Sequence, residues 1–281
     1  MRFAFTSDIH TDVNGPEVLD ALVERCRALS PDLLLIAGDI ATSPITWLQT
    51  VMALRRATPR LLLVAGNHDV WTTPELALQG LDSWGRLDRL LPALAEEAGA
   101  ELLDAAPVVV GDLGFVGNLG WYDYSTREPE LAVPMETYRR GVFAGLRWND
   151  HQRAIWLEGE RRMEAEEVAA RLRRRLATHL RECPAPRLVV ATHTLAFSEQ
   201  IHRRDHPGWR FVNAFMGSYA MGSLILADPR VELAIAGHTH LGSDLRLGRL
   251  RAMVSPLGYR REWQGLTPAE AVERAMKVVE I

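Results

Sequence analysis

Five short motifs in this chain place metal-competent side chains directly after apolar runs. They are Asp8-Ile9-His10, Gly38-Asp39, Gly66-Asn67-His68-Asp69, Thr192-His193-Thr194 and Gly237-His238-Thr239-His240. Together they offer two aspartates, one asparagine and four histidines as candidate ligands: Asp8, His10, Asp39, Asn67, His193, His238 and His240. Imidazole nitrogen mixed with hard oxygen, and no thiolate, suits divalent first-row transition metals. It does not suit calcium, which takes oxygen alone. Seven ligands are too many for one tetrahedral ion that keeps an open position. They fit two ions that share one carboxylate. His68 and Asp69 follow Asn67 at once and are the candidates for proton chemistry.

For these residues to meet, the chain must bring five strand ends together. Residues 61–65 read as a buried strand, because the apolar run is short, continuous and ended by glycine. Residues 3–6, 33–37, 188–191 and 233–236 read the same way. Between the early strands lie helix signals. Pro16 opens a stretch with Val18, Leu19, Leu22, Val23 and Leu29 at helical spacing. Ser43-Pro44 opens a helix towards Arg56, and Thr73-Pro74 one that lasts to about Glu97. Strand alternating with helix implies parallel strands and right-handed crossovers. Ligands then sit past the carboxyl ends of the strands. Residues 108–110 and 115–116 read as a hairpin, so the sheet is mixed.

Residues 158–181 read as one long charged helix whose arginine run Arg173–Arg175 is a solvated face. A further strand is expected at 249–254. Thr267-Pro268-Ala269-Glu270 is a capping box that opens a C-terminal helix. Two stretches, about 118–155 and 196–222, lack a period and read as lid-like insertions. The expected class is α/β, a mixed sheet with helices on the sheet faces and irregular lid segments, in a single domain over 1–281. Three ligand-bearing strands come early and two late.

Composition bounds the function. The chain has 281 residues, 47% of them hydrophobic, and a net charge of −4. That balance leaves no basic footprint for nucleic acid. Cys26 and Cys183 do not make a disulfide framework. No apolar run approaches the ~18 residues a membrane helix needs, and the N-terminus meets Asp8 too early for a leader peptide. A cytoplasmic protein with no membrane partner is expected. His151 and His179 are expected on exposed helix faces. Trp71 and Trp121 are the aromatics best placed to line a pocket.

The motifs, in this order and each after an apolar strand, resemble those of the calcineurin-like metallophosphoesterase superfamily, and they span most of the chain. The resemblance implies a metallophosphoesterase-like sandwich and a binuclear metal centre. Asp8, His10, Asp39 and His240 match the ligands of one ion, and Asp39, Asn67, His193 and His238 those of the other. Asp39 would bridge, because each carboxylate oxygen can take a different ion, whereas Asn67 has one oxygen to give. His68 matches the histidine that contacts the phosphate and assists the leaving group, with Asp69 to orient it. Two such ions clamp a phosphoryl group and activate a bridging water, so that the hydroxide attacks phosphorus in line. Manganese, iron, zinc, nickel and cobalt all fit the donor set. The expected activity is hydrolysis of a small-molecule phosphodiester. A phosphomonoesterase for nucleotides or phosphoproteins is the first alternative, and a non-catalytic scaffold the second. Asn118, Tyr122 and Asp123, past a strand end, are candidate substrate contacts. His202 and Arg203, beside Arg204 and His206, are candidates for a second phosphate.

Overall fold

The computed structural model describes residues 1–281. Its strands in chain order are β1 (Arg2–Thr6), β2 (Leu33–Ala37), β3 (Leu61–Val64), β4 (Glu101–Leu102), β5 (Val108–Val110) and β6 (Leu113–Asn118). Two small hairpins follow, β7 (Val142–Phe143) with β8 (Leu146–Arg147), and β9 (Leu157–Glu158) with β10 (Arg161–Arg162). The series ends with β11 (Arg187–Thr192), β12 (Val231–Ala236), β13 (Ser243–Leu247), β14 (Leu250–Val254) and β15 (Lys277–Glu280).

The long strands form two mixed sheets. One has the order β15-β1-β2-β3-β4, the other β13-β14-β12-β11-β6-β5. Strands β1, β2, β3 and β4 run parallel, and β15 closes that sheet antiparallel to β1. In the second sheet β6, β11, β12 and β14 run parallel, with antiparallel β5 and β13 at the edges.

The expected sandwich is therefore present, with helices on the two outer faces. Alternate residues explain it. Phe3, Phe5, Leu33, Leu35, Leu62 and Val64 face Phe115, Val189, Ala191, Leu233 and Ile235 in a core between the sheets. The Phe3 and Phe115 rings meet edge to face at 5.5 Å. Their neighbours Ala4, Leu34, Ile36, Leu61 and Leu63 point outward to pack with Val18, Leu22, Trp47 and Val51 of the early helices. Strands covered on both faces read as continuous apolar runs rather than alternating ones, which is what the sequence carries.

Proline marks the helix starts as expected. Helices run Pro16–Leu29, Pro44–Arg55 and Pro268–Ala275. The Thr267 side chain accepts from Glu270 N, and Glu270 accepts from Thr267 N, completing the box. Two expectations are corrected. The stretch after Pro74 is not one helix: Pro74–Leu78 stops at Gly80, which has φ +81°, and helix resumes at Ser83. The helix expected over 158–181 begins only at Ala165 and runs to Glu182, because Gly159 at φ +63° turns the hairpin β9–β10 before it. The C-terminal helix stops at Ala275, after which β15 returns to the first sheet. His179 is also buried rather than exposed, and His151 is half-buried.

Candidate metal centre and substrate cavity

Turns after β1, β2 and β3 of one sheet and after β11 and β12 of the other meet at a common edge. Backbone hydrogen bonds lace them: Asp8 N donates to Gly38 O, and His10 N to Asp39 O, both at 3.0 Å. His238 N donates to Asp8 Oδ1 at 2.9 Å. The turns are tight enough to force unusual backbone. Of ten non-glycine residues with positive φ, five are Asp8, His10, Asp39, His238 and His240. Left-handed backbone costs of order 1–3 kcal/mol at such residues and gathers at functional sites. Two glycines make the approach possible. A Cβ on Gly38 would strike the His193 ring, and one on Gly66 would strike Asp39 N and its carboxylate.

The seven candidate ligands fall into two sets around Asp39. On one side, His10 Nε2 lies 3.6 Å from Asp39 Oδ2 and 3.2 Å from His240 Nε2, which in turn lies 3.4 Å from Asp8 Oδ1. Donor atoms of Asp8, His10, Asp39 and His240 all fall within 4.8 Å of one another. On the other side, His193 Nε2 lies 3.5 Å from Asp39 Oδ1 and 2.9 Å from Asn67 Oδ1. His238 Nδ1 lies 3.0 Å from Asn67 Oδ1 and 3.3 Å from His193 Nε2. Asp39 thus turns one oxygen to each set.

Ring nitrogens facing away from the centre are held by other groups. His193 Nδ1 meets Ala37 O at 2.9 Å, His238 Nε2 meets Phe215 O at 3.1 Å, and His240 Nδ1 meets Glu262 Oε2 at 2.8 Å. These contacts select the tautomer that turns a lone pair inward. His10 Nδ1 is buried without a partner.

Charge in the cluster is graded. Burial pulls His10 down to about 4 and His238 to about 3. Burial works the same way on His193 and His240, but the Asp39 carboxylate lifts His193 to about 9, and hydrogen bonds to Asp8 and Glu262 lift His240 to about 10. Burial opposes ionisation of Asp8, but the hydrogen bond and charge of His240, with the charge of His193, together outweigh it and hold Asp8 at about 2.

His68 stands beside the first set. Its ring stacks on Trp71 with centroids 3.6 Å apart, and its Nε2 lies 3.4 Å from Tyr259 Oη and 3.9 Å from Asp39 Oδ2. Asp69 does not orient it. The Asp69 carboxylate instead accepts four backbone N–H groups, from Asp39, Ile40, Ala41 and Gly66, at 2.7–3.1 Å. It ties the Gly38-Asp39 turn to the Gly66-Asn67 turn.

A cavity of about 350 Å³ opens onto the centre, lined by Asp39, Asn67, His68, His238 and His240. Trp71, Trp148 and Trp209 give it aromatic walls, and Arg147 and Arg261 line it while remaining exposed. Trp71 is where the sequence places it, but Trp121 is packed away against Tyr122 and Trp156. None of the expected substrate contacts lines this cavity. Asn118 is wholly buried, donating to Leu172 O and accepting from Gly120 N. Tyr122 packs on Trp121 and Phe215. Asp123 accepts from Ser125 and Ser218. His202 uses its carbonyl to take the indole N–H of Trp209, and Arg203 is an exposed residue of the same loop. Tyr259, Glu262, Asp150 and the walls Trp148 and Trp209 carry no local motif, so the sequence does not mark them.

The donor set fits divalent metal. Five imidazole or amide groups and two carboxylates converge without cysteine, and their outward atoms are anchored, as in transition-metal sites with oxygen and nitrogen ligands. A two-sheet α/β sandwich with such a centre on the strand-end edge defines a metal-dependent hydrolase. The chain belongs to the calcineurin-like phosphoesterase family, whose model matches residues 1–242. It is a metal-dependent phosphoester hydrolase. The fold is similar to that of a phosphopantetheinyl hydrolase from Mycobacterium tuberculosis, with 21% identity, 99% of this chain and 95% of that chain covered, and a TM-score of 0.74. It is also similar to the Thermus thermophilus protein TT1561, with 13% identity, 99% and 97% covered, and a TM-score of 0.52. No curated protein matches the chain. No helix is long and apolar enough to cross a membrane.

Proposed function

We propose that the chain hydrolyses a small organic phosphodiester at a centre of two divalent ions. Asp8, His10, Asp39 and His240 would hold one ion, and Asp39, Asn67, His193 and His238 the other. When bound, such a pair neutralises the phosphoryl oxygens and supplies an activated water. The protein's own groups do the rest. Asp39 keeps the two donor sets in register. His68, fixed between Trp71 and the Tyr259 hydroxyl, offers its Nε2 to the departing ester oxygen as a proton donor. The aromatic walls exclude bulk water and take up the organic arms.

The observation that carries the small-molecule reading is how the cavity is closed. Arg147 and Trp148 come from the first insertion, and Trp209, Val212 and Met216 from the second. These segments, about 118–155 and 196–222, act as the lid of a single unit over 1–281. They leave about 350 Å³, a volume in the range of small-ligand sites. Arg147 and Arg261 suit a further anionic group on the same substrate.

Turnover of bis(p-nitrophenyl) phosphate against p-nitrophenyl phosphate, with manganese added, tests the choice of ester. A higher kcat/KM on the diester is expected. A higher value on the monoester replaces this reading with a phosphomonoesterase. A phosphopantetheinyl ester belongs in the same panel, because the Mycobacterium tuberculosis neighbour is named for hydrolysing one. Asp39→Asn is expected to reduce turnover to background and the bound metal to at most one ion per chain, with unchanged circular dichroism. Full activity in that variant would end the two-ion assignment.

A further inference from the structure

Asp150 sits in the first insertion, 83 residues from Asn67 in sequence, yet its carboxylate reaches into the metal centre from behind. It is 2% exposed. Its Oδ1 accepts from Asn67 Nδ2 at 2.9 Å and from Trp71 Nε1 at 2.6 Å, and its Oδ2 accepts from Trp148 Nε1 at 2.9 Å. Three donors, two from the turn after β3 and one from the insertion itself, thus end on one buried carboxylate.

The chemistry of an amide gives this contact a consequence. The two ends of Asn67 are nearly equal in size, one accepting and one donating. Only the oxygen end can bind a cation. A carboxylate accepts and does not donate, so it draws the NH2 end of Asn67 towards itself. The oxygen end must then point the other way, where it lies 2.9 Å from His193 Nε2 and 3.0 Å from His238 Nδ1. The same carboxylate fixes Trp71, which stacks on His68 at 3.6 Å, and Trp148, a wall of the cavity.

On the two-ion reading above, we propose that Asp150 is the positioning residue that sets the amide orientation of Asn67 and so creates the second metal site. It also couples that site to the lid. The same carboxylate takes N–H groups from Asn67 and from Trp148 of the insertion, so one residue ties the two. A sandwich that lacked this insertion would have to hold its asparagine by other means.

Asp150→Asn is the informative variant, because it keeps the volume and gives the site one acceptor where three donors need two. Manganese binding to the chelated protein, followed by calorimetry, reads the metal arm. The expected result is one site at wild-type affinity and one weakened roughly 10–100-fold, the range seen when an outer partner of a metal ligand is removed. Trp148→Phe removes a different donor from the same carboxylate and should leave both manganese sites in place. Equal loss of manganese in the two variants would mean that Asp150 merely packs the insertion, and would overturn the proposal.

The second arm needs no metal. The side-chain amide protons of Asn67, assigned through their loss in Asn67→Ala, should be slow to exchange in the metal-free wild type and fast in Asp150→Asn. Unchanged exchange overturns the proposal whatever the manganese result. A moved amide signal with a wild type that takes up only one ion would instead refute the two-ion reading and leave Asp150 as the group that orients Asn67.

Discussion

At the scale of single residues, two neighbours in one tetrapeptide do opposite kinds of work. His68 faces the cavity, while Asp69 faces into the protein and accepts four N–H groups. Their alanine variants should therefore fail in different ways. His68→Ala is expected to lower kcat by roughly 10²–10⁴-fold, the usual worth of a positioned proton donor, with metal content and melting temperature unchanged. Asp69→Ala leaves four buried N–H groups without their acceptor, at about 1–3 kcal/mol each where water cannot replace it. It should lose metal and unfold at markedly lower urea concentration. Kinetics and urea titration on the two proteins separate the roles, and a stable Asp69→Ala with intact metal would contradict this one.

The same contrast explains what could be read from the sequence. All seven candidate ligands follow apolar runs within a few residues, so local pattern alone locates them. Asp69 also lies in a motif, but a carboxylate beside a histidine gives no clue to which way it points, and its partners are 28 to 30 residues away as well as three. Asp150, Tyr259 and Glu262 are invisible for a stronger reason. Each meets its partner only once the chain has folded, across 83, 191 and 22 residues. The pocket walls belong to the same class, which is why the expected substrate contacts fall elsewhere.

At the scale of elements, the site depends on how closely the strand-end turns can approach. Gly38 after β2, Gly66 after β3 and Gly237 after β12 stand at these turns, and Asp39 and His238, which follow two of them, take left-handed backbone. Gly66 is the most confined, with Asp39 N, Cα and carboxylate where a side chain would begin. Its backbone N also donates to Asp69 Oδ2 at 2.7 Å. Gly66→Ala is therefore expected to push the β2 and β3 turns apart. The cost should be that of an overpacked core, about 1–3 kcal/mol, and metal affinity should fall with it. A melting curve and a manganese titration test this. Wild-type values in both would show that the turns have slack. Glycine also marks where element boundaries depart from the apolar pattern. Gly80 and Gly159, both at positive φ, interrupt stretches whose composition alone favours helix. A polar, charged hairpin such as β9–β10 has no alternating apolar pattern to announce it.

At the scale of the whole molecule, the metal centre straddles two sheets, so its geometry is only as firm as the joint between them. One side of that joint is apolar, the core around Phe3, Phe115, Val189 and Leu233. Near the site the joint is polar. The buried Asp104 accepts Ala65 N at 2.8 Å, just past β3, and Leu119 N at 2.6 Å, just past β6. Burial raises its pKa from an ordinary 3.8 to about 6, against the two N–H donors that favour the charged form. The folded protein thus holds this proton more tightly than the unfolded chain. Its contribution to stability is complete below pH 3.8 and is lost as pH rises through 6. Asp104→Asn cannot titrate. In chelator, to remove metal linkage, the stability of wild type relative to Asp104→Asn should decline by about 2 kcal/mol between pH 4 and pH 7, most of the shift at 1.36 kcal/mol per unit of pKa difference. Urea midpoints across that range measure it. Parallel curves would mean that Asp104 is ionised throughout and that the two donors outweigh burial. In that case the clasp between the sheets would be a charge-assisted one, strongest at neutral pH where the enzyme must keep its five strand ends together.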